Sequence, residues 1–229
     1  ILYRLVGSEM CIRDRMLSGP RPGAILQRMQ DDGVLRFVFT NIAVVNPTLF
    51  HLVDLPVLDK LGLDERLAFL MCEHETKEVV SQLQALRTSR ELQRSTALFH
   101  EQIGHLPAPR KGALRVFNHV MGTAAEHHLS VHRTMVEHDV NLHSGLRPTA
   151  DAVGEVVALW KQVERTEMPQ PCLVDGHWIM ARTGTVEGIR LGRLKQWLHR
   201  VQIEENITTI AGMEAALSRI AYEHGEVDA

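Results

Sequence analysis

Arg190, Arg193, Trp197 and Arg200 recur at intervals of three and four residues, so on a helix they share one stripe. Guanidinium groups donate to phosphate oxygens and an aromatic ring offers a face to a base, so such a stripe suits a nucleic-acid backbone. Leu191, Leu194, Leu198 and Val201 repeat the same spacing one residue later, about 100° around the helix, and form its apolar face. Gly188 and Gly192 flank the entry to this helix. The free amides of a helix N-terminus attract anions, and glycine lets one backbone approach another. From His177 to Gln202 the basic residues are Arg182, Arg190, Arg193, Lys195 and Arg200, against one acid, Glu187. Lys195, Arg182 and His199 are secondary contacts in this reading, and Arg110, Lys111 and Arg115 a possible second patch. The rival reading of the same residues is a solvated flank, with arginine stems lying along the core edge.

Histidine offers a different chemistry. His128 and His132 lie four apart, a spacing that suits two metal ligands on one helix. Leu129 follows His128, however, so there is no His-Glu-x-x-His motif. A chain with 13 histidines produces one such pair by chance, and no metal ligand is assigned. Cys72-Glu73-His74 reads as a helix end. There is no Gly-x-Ser-x-Gly elbow and no Gly-x-x-x-x-Gly-Lys-Ser/Thr loop, so neither a serine nucleophile nor a P-loop is present. No catalytic residue is assigned.

The elements that would position these residues are helical. Apolar residues make up 45% of 229, enough to bury a core, and aromatic residues only 5%. The net charge of −3 does not announce a nucleic-acid binder, so any basic surface is local. Cys11, Cys72 and Cys172 are far apart, which suits a reducing, cytoplasmic setting. No apolar run approaches the ~20 residues that span a bilayer, so no membrane contact is expected. Pro22 and Gly33 bracket a first helix, Asp64 caps a second, and Ser89 caps another. A helical stretch over 112–142 breaks near Gly122, and Val153 to Val163 forms the next helix. Pro169 and Pro171 mark the start of a C-terminal tail with helices near Leu191–Val201 and Thr209–Ala221.

The tail also carries a resemblance. Pro171 to Met180 (PCLVDGHWIM), followed by Gly188-Ile189-Arg190-Leu191-Gly192-Arg193-Leu194, is similar to the tail of bacterial-type class II tRNA nucleotidyltransferases, the CCA-adding enzyme and poly(A) polymerase family. There a Gly-x-Asp-Leu-Met-type core leads to Pro-Gly-Pro-x-x-Gly and a helix. Asn206-Ile207-Thr208-Thr209 resembles the polar stretch before the family's last helix. Leu17 to Leu35 resembles the end of its neck. Trp178 stands where the family usually has Asp, and Glu187 and Ile189 stand where its prolines flank the glycine. Phe69 to His74 occupies the region of a His-Asp metal motif without matching it.

The residues read as an all-α chain, and the resemblance implies a multi-helix body and a helical tail that bind tRNA. Its segments are a leader over 1–15, a neck end over 16–45, a body over 46–168 and a tail over 169–229. The leader resembles translated sequencing-adapter read-through, which suggests a truncated gene. The family's catalytic head, with a Gly-Ser step and an Asp-x-Asp pair, and its Glu-Asp-x-x-Arg segment find no match here. Mg2+ and CTP or ATP would belong to that head, and no cofactor is expected in this chain. Two other readings stay open. One is a free-standing helical interaction or scaffold protein. The other is a metal-dependent helical enzyme built on His128 and His132.

Overall fold

The computed structural model describes residues 15–42, 45–163 and 170–220. Among the described residues every regular element is helical and no strand occurs, so the all-α, multi-helix fold holds. Most of the 1–15 leader, the boundary at Pro169 and the final residue expected of the last helix, Ala221, lie outside the described residues.

Local signals account for most helix starts. α1 (Pro22–Asp31) begins on a proline, whose missing N–H costs nothing in a first turn. α2 (Leu35–Val38) follows Gly33. α3 (Pro47–Val53) is capped by Asn46, whose side chain accepts the Thr48 amide. A 3-10 turn at Pro56–Leu58 leads to α4 (Leu63–Leu70). Here the expected Asp64 cap is corrected. Gly62 is the N-cap, and the Glu65 carboxylate reaches back to accept its N–H at 2.7 Å. Asp64 sits in the first turn, where its charge faces the helix N-terminus. α5 (Thr76–Ala85) repeats the device with Glu78 and the Glu75 amide, and Ser89 caps α6 (Arg90–Gln102) through the Leu92 amide. The stretch over 112–142 is divided at Gly122 into α7 (Lys111–Met121) and α8 (Ala124–Glu137). α9 (Ala150–Trp160), α10 (Gly176–Thr183), α11 (Ile189–Glu205) and α12 (Ile210–Ser218) complete the chain.

The helices group into two compact units, one from 1–106 and 123–154, the other from 107–122 and 155–229. In the first, α1 packs on α3, α4 on α3 and α6, α5 on α6, and α8 on α4, α6 and the 3-10 turn. Phe50, Phe69, Leu67 and Leu83 are fully buried there. Arg66 is buried there too, with no ion pair among the described residues. Its guanidinium donates to the carbonyls of Leu17 (2.6 Å), Gly19 (2.9 Å) and Asp59 (3.0 Å), which take the place of its lost water. Gln82, also buried, accepts the Asn41 amide and donates to the Val38 carbonyl, fastening 38–41 to α5.

In the second unit α11 packs against α7, α10 and α12. Leu194 and Leu198 join Val174, Ile179, Met213, Ala216 and Leu217 in a buried cluster, with Leu191 and Val201 at its edge. Gln202 repeats the role of Gln82, accepting the Leu173 amide and donating to the Pro171 carbonyl. α7 lies by sequence within the 46–168 stretch, yet its packing partner is α11.

Candidate nucleic-acid interface

α11 presents the two faces its spacing requires. Leu194 and Leu198 are buried, while Arg190, Arg193, Lys195 and Arg200 are exposed. Gly188 precedes the helix at φ 153°, a backbone conformation that side chains with a Cβ rarely adopt. It leaves the first amides of α11 without a side-chain cap. A Cβ at Gly188 or Gly192 would meet nothing within 4 Å, so neither glycine serves packing within this unit.

The remaining basic residues of this unit divide by what holds them. Arg182 donates through Nε and Nη2 to Glu214 Oε1 (3.0 and 2.6 Å) and lies 4.1 Å over the Trp178 ring. Arg219 makes a two-pronged pair with Glu205. Arg110 pairs with Glu204. Arg115 donates to the Ile203 carbonyl (3.1 Å) and the Glu204 carbonyl (2.6 Å), the last carbonyls of α11. A guanidinium there adds to the Asn206 amide on the Ile203 carbonyl, gives the Glu204 carbonyl a donor and opposes the helix dipole. Arg110 and Arg115, expected as a second patch with Lys111, are thus engaged in holding α11. By contrast, Arg190, Arg193, Lys195 and Arg200 have no ion pair or hydrogen bond from their side chains among the described residues.

Trp197 does not stand free beside the arginines. It is half-buried against the apolar cluster, so a ring at this position supports the helix from one side. His199 donates Nε2–H to the Gln170 carbonyl at 2.6 Å, and its ring meets His119 edge-on at 5.0 Å. Burial, with help from the His199 ring, lowers the His119 pKa. Val186 and Ile189, beside the arginines, are 78% and 79% exposed. No helical periodicity marks them in the sequence, because Val186 lies in a loop and Ile189 at its end.

Replacing Arg115 by Met is expected to lower stability by about 1–3 kcal/mol, the usual cost of removing hydrogen bonds to a charged group. Lys should not restore it, because a single ammonium does not reproduce the two-pronged fork. Urea unfolding of the three proteins checks this; wild-type stability in the Met variant would leave the contact without energetic weight.

His128 and His132 lie on α8 in the first unit, both fully buried. His132 accepts the Gly104 amide at Nε2 (2.8 Å) and donates Nδ1–H to the His128 carbonyl (2.9 Å). Both of its ring nitrogens are therefore occupied by backbone. His128 donates Nε2–H to the Gln102 carbonyl at 2.7 Å. Among the described residues no group of three metal-ligating side chains occurs. Cys72 is buried, which pushes its thiol pKa far up and keeps the sulfur protonated.

No family model, curated protein or solved structure matches the chain.

Proposed function

We propose that the chain binds structured RNA, tRNA above all, through the exposed flank of α11, as the body and tail of a CCA-adding nucleotidyltransferase whose catalytic head lies outside this sequence. One observation carries the reading. Arg190, Arg193, Arg200 and Lys195 have no carboxylate among the described residues, whereas Arg110, Arg182 and Arg219 each do. Three arginines on one helix flank, and Lys195 across the apolar face, with no ion pair among the described residues, attract a polyanion. The motifs around Gly188 and Pro171 supply the family expectation and with it tRNA as the partner. Recognition would run through phosphates and shape, as is usual for folded RNA. Arg182 would contribute less, because reaching RNA costs it the Glu214 pair. In this reading the protein is cytoplasmic.

The test is tRNA binding by the whole chain across a salt series, with Arg190, Arg193 and Arg200 changed together to Ala. Loss of three phosphate contacts is expected to weaken binding by roughly 100-fold and to flatten the log–log salt slope by about 2 to 3. Unchanged affinity and slope in the triple variant would remove α11 from the interface.

A second reading, a helical interaction protein, is favoured by Val186 and Ile189, exposed apolar residues with arginines at their rim, as in a protein-binding patch. It expects no salt-sensitive tRNA binding at all.

A further inference from the structure

We infer that His132 and His128 form an acid-released latch that ties the turn after α6 to α8. The turn is Gln102–Gly104, and two imidazoles four residues apart on α8 hold it. His128 donates to the Gln102 carbonyl, and the Gly104 amide donates to His132. An amide N–H only donates and a carbonyl only accepts, so His132 is confined to the neutral Nδ1–H tautomer. A proton arriving at Nε2 would set N–H against N–H and eject the Gly104 amide. His132 releases the Gly104 amide by taking up a proton from water, with no other reactant, whereas a protonated His128 keeps its Nε2–H donor to Gln102 and acts only through the repulsion of its charge.

The surroundings offer the charged form no shelter. The two rings lie 4.2 Å apart, so a charge on one repels a charge on the other. The Phe99 ring stands edge-on to His128 at 5.6 Å. His105, past the turn, adds further like charge when protonated. α4 brings Glu65 and Arg66. Glu65 already takes the His127 Nδ1–H and the Gly62 amide, and Arg66 is spent on backbone carbonyls. α6 brings His100, held by Thr76 and the Met71 carbonyl, and the exposed Glu101. The 3-10 turn is followed by Asp59, whose carbonyl serves Arg66. Burial, with a smaller effect of His105, accordingly holds the His132 pKa down to about 4, and burial with repulsion from His132 holds that of His128 down to about 3.

The test uses the whole chain labelled with 15N at histidine, followed by NMR as the pH is lowered, together with hydrogen exchange of the Gly104 amide. His132 is expected as the Nδ1–H tautomer, without a titration step near the ordinary value of 6.5. Gly104 protection, corrected for intrinsic exchange, is expected to fall about tenfold per pH unit below that value for each imidazole taking part. His132→Gln keeps an acceptor for the Gly104 amide and cannot titrate, so its protection should fall less steeply. An Nε2–H tautomer, an ordinary titration of His132 in the folded protein, or pH-independent Gly104 protection would each overturn the latch. The tautomer and wild-type exchange measurements decide this even if the variant does not fold.

Discussion

Acidification from neutral pH to about 5 is expected to remove a large part of the stability of the first unit. His100, His128 and His132 are each at most 1% exposed. Desolvation is the largest effect on each and, with help from neighbouring imidazoles and against opposing backbone hydrogen bonds, lowers their folded pKa values from 6.5 to about 4, 3 and 4. The sign follows from proton counting. Below about 6.5 the unfolded chain binds these protons and the folded unit refuses them, so stability rises with pH across that window. The contribution is complete above the unfolded value and drains away as pH falls toward the folded values. At about pH 5 each group accounts for roughly 2 kcal/mol, and the three together for about 6 kcal/mol, against about 5–15 kcal/mol for an ordinary domain. Urea unfolding followed by circular dichroism at a series of pH values measures this directly. A flat midpoint between about pH 7 and 5 would mean that the three rings take up protons without disturbing the fold, and that their burial costs nothing.

The second large effect is expected at Gly23. On propensity alone, Gly23→Ala should stabilise α1, since alanine is favoured over glycine inside a helix by about 1 kcal/mol. The packing reverses that sign. A Cβ at position 23 would stand 1.6 Å from the Phe50 carbonyl oxygen and 2.6 Å from its carbon. That obstacle is the backbone of α3 and cannot rotate away. The same close approach lets Asp54, at the end of α3, receive the Gly23 amide at 2.8 Å and the Ala24 amide at 2.9 Å. One carboxylate from another helix thereby caps α1, whose own N-cap residue, Arg21, provides no side-chain cap. Pushing the helices apart loses both bonds and loosens packing around the fully buried Phe50 and Leu26. The expected loss is about 3 kcal/mol or more, at the upper end of overpacking effects. Equal or greater stability in Gly23→Ala, read from the urea midpoint, would show that α1 does not sit against α3 as described.

Much of the helical architecture was legible in the residues. Alternating Leu and Arg triplets along 190–201 set out two faces of α11, and burial divides them as the spacing requires. Ser89 before Leu92 marks a start that its own hydrogen bond explains, and Gly122, at φ 55°, marks a break that a positive φ explains. Such features are local: a helix's angular repeat and a side chain reaching its own backbone need no knowledge of the remaining chain. Two short helices went unread although their caps were present, α3 after Asn46-Pro47 and α10 between Asp175 and Gly184. Seven or eight residues are too few for periodicity to rise above chance, so their caps were the better signal.

Which arginines are available to a partner was decided only in three dimensions. By sequence Arg110, Arg115, Arg182, Arg190, Arg193 and Arg200 are alike. Arg110 finds its carboxylate 94 residues away, Arg182 finds its own 32 away, and Arg115 reaches carbonyls at the far end of another helix. The histidines follow the same rule, since their spacing on α8 was plain but their engagement with Gln102 and Gly104 was not. Spacing along a helix sets the direction in which a side chain points. What it meets there depends on which other helix folds against that face, and long-range packing alone determines that.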